Sequence, residues 1–293
     1  MTDSSKPMFW RDSRMPHVEL RKVEDGRELC YASHSHTQWS LGAITQGQST
    51  FIYRDDQFNV SAGCLVIMNP NWVHACNPID NQPWAYLMLY VDSDWLTRLR
   101  FEAGLLDSLC WQDLATATLS DKKWFADYCQ LAECLLDSDC ELLEKQTAVV
   151  EYLTALMFEL AGRPVEPVIK TPEVLQMLAD YLKANSTADS AANSEVQVSL
   201  DTLCELSGYS PGHLIRCFKQ HFGFTPHAYL INYRIQRAQE ALKRGQSIAE
   251  TAVNAGFADQ PHFQRTFKKL LAVTPKQYRQ SLLNDKKDTT GDQ

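Results

Sequence analysis

The sequence predicts an α+β protein of several domains: a β-barrel first, a helical linker after it, and an all-α C-terminal domain of two similar helix pairs. Three observations predict this. Short β-rich runs recur up to Asp92, the chain repeats itself after residue 198 at an offset of 48 to 49, and acidic charge gives way to basic charge. At 293 residues the chain exceeds one comfortable core. Its 44% hydrophobic and 22% charged residues describe an ordinary globular composition and exclude wholesale disorder. No run approaches the roughly 18 apolar residues of a membrane span. The opening MTDSSKPMFWRDSRMPHVEL lacks the apolar centre of a secretory signal, so a cytoplasmic protein with no membrane partner is expected.

The barrel is expected over 1–100. Between Glu19 and Asp92 the runs LCYASHSH, QWSLGAI, STFIYR, QFNV, GCLVIMN and WAYLMLYV are separated by turn residues. Short strands so regularly spaced point to a sandwich or barrel. Read as a strand, the first run sets His34 and His36 on one face. The stretch GCLVIMNPNWVHACNP then supplies Gly63, Pro70 and His74. Together these residues resemble the cupin barrel. In cupin enzymes that resemblance implies a metal held by two histidines of a His-x-His, a glutamate soon after, and a third histidine on a later strand. No carboxylate stands between His36 and Gly47 here, so the usual fourth ligand is missing. The expectation is a metal-free pocket for a small molecule, with His34, His36, Trp39, Tyr53, Trp72, His74 and Tyr86 as lining candidates; aromatic walls with a few polar groups suit such a ligand. The same side chains also suit an ordinary barrel core. Three neutral imidazoles could still hold zinc, and the alternative function is a metal-dependent cupin enzyme whose helical domain targets it to DNA. Neither a Ser/His/Asp order, a P-loop nor a Gly-x-Gly-x-x-Gly stands out, so no catalytic residue and no cofactor is expected.

Residues 101–165 read as a helical linker and dimerisation region. Asp121–Leu136 and Glu141–Leu160 have helical periodicity, with Val149, Val150, Leu153, Leu156, Met157 and Leu160 forming a broad apolar stripe. That stripe either packs on the chain's own barrel or joins two copies. Nine cysteines, an odd number with no Cys-x-x-Cys spacing, read as reduced thiols acting as small hydrophobes; a zinc or redox site is the alternative.

The C-terminal domain is expected over 171–283, with a disordered tail at 284–293. Thr171 as cap and Pro172 in the first turn open a helix whose Val174, Leu175, Leu178 and Leu182 share a face. The small, polar stretch 184–199 then marks a linker. Leu200–Tyr209 aligns with Ile248–Phe257, matching Cys204 to Ala252 and Gly208 to Gly256. One residue is inserted, and Arg216, Phe218, Lys219 and Thr225-Pro226 match Arg265, Phe267, Lys268 and Thr274-Pro275. Each copy has the grammar of a helix-turn-helix: a small residue where two helices cross, then a glycine able to take positive φ, then a second helix. Ala228–Arg244 reads as the rod joining the two units. At ~1.5 Å per residue it spans about 26 Å, suited to setting two helices in successive major grooves.

Charge sorts with this division. Residues 198–283 carry eleven Lys/Arg against five Asp/Glu, a net +6, whereas 1–197 carry a net −13. A basic block on an acidic chain is the footprint of a nucleic-acid module. From Leu200 to Arg279, and most specifically in GFADQPHFQRTFKKLLAVTPKQYR, the sequence resembles the DNA-binding region of AraC/XylS-type transcriptional regulators. The resemblance implies two helix-turn-helix units whose second helices touch bases. It also implies a cupin-like sensory barrel, homodimers formed through the N-terminal half, promoter DNA as partner, and activation through RNA polymerase. With the apolar face of each second helix turned to its core, Gly212, His213, Ile215, Arg216 and Lys219 face outward in the first unit, and Gln260, His262, Gln264, Arg265 and Lys268 are candidates in the second. Of the base contacts, the resemblance nominates Gly212, Ile215 and Arg216, then Gln260, Pro261, Gln264 and Arg265. Arg and Gln are the side chains able to make paired hydrogen bonds to guanine and adenine. Gly212 and Ile215 offer no such bond, and Ala272 stands where the family usually has glycine.

Overall fold

The structure, a computed structural model, describes residues 7–27, 29, 31–161, 171–186, 198–257 and 259–279. The tail 284–293 and most of the linker 184–199 lie outside these. The described residues form two compact units, and the stretch Tyr31–His34 groups with the C-terminal one.

In the N-terminal unit, six strands form one sheet: β1 (Met8–Arg11), β2 (Val18–Val23), β3 (Trp39–Gln46), β6 (Leu65–Met68), β8 (Ala85–Val91) and β9 (Thr118–Leu119), in the order β1-β2-β8-β3-β6-β9. Three more, β4 (Gln48–Tyr53), β5 (Asp56–Ser61) and β7 (His74–Pro78), form a second sheet in the order β5-β4-β7. All pairings are antiparallel. Helices follow as α1 (Ser93–Glu102), α2 (Lys122–Leu136) and α3 (Leu142–Ala161).

A strand's side chains alternate between its two faces, and here both faces of the large sheet are covered. Trp39, Leu41 and Ala43 of β3, with Leu87, Leu89 and Val91 of β8, enter one apolar core with Tyr128 and Leu131 of α2 and Leu153 and Leu156 of α3. The buried Tyr128 hydroxyl is satisfied there, donating to the Leu41 carbonyl at 2.8 Å. Apart from Val150, which is exposed, the apolar stripe of α3 therefore packs inside its own unit. Ser40, Gly42 and Ile44, and across from them Tyr90, Met88 and Tyr86, take the other face of the sheet.

The expected first strand differs. Residues 31–38 are irregular apart from a single bridge at His34. Local bonds replace the ladder: the His34 ring bonds the Ala32 carbonyl and the His36 ring the Gln38 carbonyl, at 2.9 and 2.8 Å. Side chains that bond their own neighbourhood compete with strand pairing.

The C-terminal unit contains α4 (Glu173–Ala184), α5 (Leu200–Ser207), α6 (Pro211–Phe222), α7 (Pro226–Lys243), α8 (Ile248–Asn254) and α9 (Gln260–Leu271), and 275–279 are helical as well. Leu175, Leu178 and Leu182 of α4, Leu203 of α5, Leu214 and Phe218 of α6 and Leu230 of α7 share one core. Phe257, Phe263, Phe267 and Tyr278 pack in a second, ring to ring at 5.3 to 5.6 Å. Thr171 does not cap α4; Pro172 holds the N-cap position without a side-chain bond. The joining rod begins two residues earlier than periodicity suggests, because Thr225 caps it and Pro226 fits its first turn.

Helices α6 and α9 are both twelve residues long and both end on a left-handed residue, Gly223 (φ 71°) and Ala272 (φ 54°). That conformation costs an L-residue roughly 1–2 kcal/mol. Ala272→Gly is therefore expected to stabilise the protein by about 0.5–1 kcal/mol, after the glycine's own entropy loss is deducted. Denaturant midpoints of the two proteins check this.

Candidate functional site

Two sets of residues carry chemistry, one in each unit. In the C-terminal unit, α5 and α6 form one helix-turn-helix and α8 and α9 the other. The crossing of α8 and α9 is tight: Ala252 and Phe257 are buried at the turn. Asp259 then caps α9, its carboxylate accepting from the His262 N–H at 2.6 Å. Ser210 holds the corresponding place before α6 without a side-chain bond.

Packing fixes which face of each second helix is free. Leu214 and Phe218, like Phe263 and Phe267, are 0% exposed. The opposite faces expose Gly212, His213, Arg216 and Lys219 on α6, and Gln260, Pro261, His262, Gln264, Arg265 and Lys268 on α9. Ile215 alone among the nominated residues is half-buried. The two faces differ in readiness. On α6 an Arg216 guanidinium nitrogen lies 3.2 Å from the His213 ring, which stacks edge-on against Tyr209 at 4.6 Å. On α9 the His262 ring leans on Phe257 at 5.4 Å, and Gln264 and Arg265 are exposed. The α9 face thus combines paired-bond donors and acceptors with cations.

The second set gathers beside β4 and β7, with Tyr53 and His74 on those strands and His36 and Trp72 on the irregular stretches before β3 and β7. Tyr53 of β4 stands opposite His74 of β7 in register. The His74 ring meets the His36 ring at 4.8 Å, and His36 in turn meets Tyr90 at 5.4 Å and approaches the Ser40 hydroxyl at 3.3 Å. Tyr53 stacks on Trp72 at 5.1 Å, while the Arg54 guanidinium covers the Trp72 ring at 4.2 Å. Bonds from neighbours orient these groups. The Trp72 indole donates to Asp113 at 3.1 Å, and the Tyr53 oxygen accepts from the Asn69 N–H at 2.8 Å. Burial pushes the Tyr53 hydroxyl well above its ordinary pKa, so it stays a neutral phenol. On the neighbouring strand, burial pushes the Cys76 thiol up to about 12.

Of the seven lining candidates, His36, Tyr53, Trp72 and His74 come together. Tyr86 lies further along the same inner face, stacked on Trp84 at 4.7 Å. Trp39 does not join them: it is 0% exposed in the core facing the helices, one residue out of phase with the inward Ser40. His34 groups with the C-terminal unit, stacked on Tyr31 at 5.7 Å. Of the three imidazoles, His36 and His74 share one unit and meet there. Sequence reasoning missed Tyr90 and Ser40, and it missed two buried charges of β2. Glu19 and Arg21, 8% and 3% exposed, sit in register with Tyr90 and Met88 on the inner face. Glu19 takes a two-pronged bond from Arg11 at 2.8 and 2.9 Å, and the Arg21 guanidinium lies 5.9 Å from the Tyr86 ring. The available signal was their alternation with Val18 and Leu20.

Comparison with known proteins follows the same division. Residues 21–161 match the model of an AraC-like ligand binding domain, and residues 203–281 that of a helix-turn-helix domain. Among curated proteins, the chain is 25% identical over 254 residues to YbfI, an uncharacterized HTH-type transcriptional regulator of Bacillus subtilis, spanning 84% of this chain and 86% of that one. It is 24% identical over 261 residues to the HTH-type transcriptional activator RhaR of Pectobacterium atrosepticum, covering 86% and 87%. Among solved structures, ToxT from Vibrio cholerae O395 superposes with a TM-score of 0.54 at 12% identity, over 94% of this chain and 97% of that one, which establishes a shared fold. No helix among the described residues is long and apolar enough to cross a membrane.

Proposed function

Since this chain is an AraC-type transcriptional regulator, a sequence-specific DNA-binding protein controlled by a small molecule, we propose which residues do each job and in what direction. The small molecule occupies the inner face of the barrel against His36, Tyr53, Trp72 and His74, with Tyr90, Arg21 and Tyr86 completing the wall. The observation that carries this reading is the meeting of His36 with His74 at 4.8 Å beside Tyr53, polar atoms converging within an aromatic enclosure. DNA is held by the exposed faces of α6 and α9, with α9 supplying most of the base reading and α6 mainly position. Occupancy of the barrel biases the regulator between two functional states, and differential binding of a few kcal/mol suffices for such a switch.

The sign is activation, through contact with RNA polymerase, as the naming of RhaR supports by kinship. Two copies pair through the outer face of α3, where Leu143, Val150 and Phe158 stay exposed in spite of the stripe buried behind them. Light scattering on the full-length protein tests the pairing; a monomer at all concentrations would exclude it.

The test of the whole reading is to sequence DNA fragments retained by the full-length protein, with and without a metabolite panel. A shared sequence motif whose retention changes with one metabolite class supports it; retention indifferent to sequence defeats it. With that metabolite known, His36→Ala is expected to raise the half-maximal concentration at least about tenfold. DNA affinity without the metabolite should remain as before. An unchanged dose response would put the ligand elsewhere. Trp39→Ala should instead act by unfolding the barrel, as loss of a fully buried large side chain costs about 3–5 kcal/mol.

A further inference from the structure

Away from the barrel interior and the DNA-facing helices, one side-chain cluster has the make-up of a metal site. Cys134, near the end of α2, and Cys140, just before α3, hold their sulfurs 2.9 Å apart. Glu144, in the first turn of α3, completes the group: one ligand atom from each residue lies within 4.8 Å of the other two. Both cysteines are half-buried and Glu144 is exposed, so the sulfurs are shielded on one side and reachable from the other. The surroundings favour a cation. Residues 133–144 include Glu133, Asp137, Asp139, Glu141 and Glu144 and not one Lys or Arg.

We propose that Cys134, Cys140 and Glu144 bind a thiophilic divalent cation of the zinc class, which ties the end of α2 to the start of α3. Two sulfurs and one carboxylate oxygen are a borderline-soft donor set, and three protein ligands leave one position open. Two thiolates on a tetrahedral zinc stand about 3.8 Å apart, given bonds of ~2.3 Å. The present separation is shorter, so the two sulfurs must part on binding. Binding releases two protons, one from each thiol, while the cation takes the two sulfur lone pairs, so affinity falls as pH drops. A disulfide would use the same two sulfurs but leaves Glu144 without a part; the trio is what favours a cation. The consequence is mechanical: α2 and α3 supply the helical side of the barrel's apolar core, and a cation bridging them clamps that layer.

The test uses the full-length protein, reduced, stripped with a chelator, and titrated anaerobically with Co2+. One equivalent is expected to produce a near-ultraviolet thiolate-to-cobalt charge-transfer band, removed by excess Zn2+. Cys134→Ser and Cys140→Ser should each lose the band, with circular dichroism reporting whether they fold. Glu144→Gln, at an exposed position, should fold and keep the band while binding at least about tenfold more weakly. Zinc should also raise the melting temperature of the parent protein more than that of Glu144→Gln. No band in the parent protein, or an equal band in either cysteine variant, overturns the site. So does rapid conversion of the pair to a disulfide by oxidised glutathione in a protein that gives no cobalt band: that outcome makes it a redox pair.

Discussion

Gly256→Ala is expected to cost the C-terminal unit about 3 kcal/mol or more, whereas Gly208→Ala costs only about 1–2 kcal/mol. The two glycines are equivalent in the repeat, and both take left-handed backbone, with φ of 78° and 70°. Strain from a new Cβ in that conformation is common to both. Space is not. A Cβ on Gly208 meets nothing within 4 Å, but one on Gly256 would stand 2.3 Å from the backbone carbonyl oxygen of Ser186. That carbonyl is itself held in place. It accepts from Arg234 Nε at 2.9 Å, and the Ser186 hydroxyl lies 3.2 Å from an Arg237 guanidinium nitrogen. Relief would require moving the end of α4 or breaking a bond to a guanidinium whose burial already lowers its pKa. Urea unfolding of the two variants, followed by a signal from the C-terminal unit, measures the contrast. Equal losses would mean that the Ser186 segment yields freely and contributes no rigidity to the second turn.

The two halves of the molecule differ in how much a reader of the sequence could see. The C-terminal repeat was legible because sterics dictate it position by position. A helix crossing needs Ala252, a turn needs Gly256, and a core between two short helices needs Phe263 and Phe267 at fixed spacing. Knowing which residues are buried then leaves one face free, which is why the nominated side chains emerge exposed. The exception, Ile215, is apolar and half-buried at the margin of its helix.

The barrel was legible as strands but not as a site. A period of two says which residues share a face, yet it does not say which face looks inward when both are covered. Trp39 shows the difficulty: by composition the tryptophan looked like pocket lining, whereas its neighbour Ser40 is the residue that reaches the His36 ring. For Glu19 and Arg21, alternation with Val18 and Leu20 puts both on one face of β2, yet it does not say that this face is covered. The segment 31–38 shows a second limit. Alternation alone does not make a strand when histidine rings bond neighbouring carbonyls.

Arg265→Ala is expected to remove about 1–3 kcal/mol of specific DNA binding and to relax the choice of base at one position. The residue lies on the exposed face of α9, six residues past the Asp259 cap and five before the buried Leu270, on a helix anchored by the fully buried Phe263 and Phe267. A guanidinium on so fixed a base makes a paired bond to guanine at little cost in ordering, so its loss falls on discrimination. Lys268 lies one turn further along the same face as a point charge. Lys268→Ala should weaken specific and non-specific DNA alike and reduce the salt slope by about one. In the first unit Arg216 is already engaged with His213, and Gly212 and Ile215 present no hydrogen-bonding side chain. Arg216→Ala should therefore change the ratio of specific to non-specific binding less than Arg265→Ala does. Competition binding at two salt concentrations separates these outcomes. If Arg216→Ala relaxes specificity as much as Arg265→Ala, the two helices share base reading equally, and the division of labour between position and recognition is wrong. If Arg265→Ala leaves the preferred sequence and its affinity intact, α9 does not lie in the groove with this face inward.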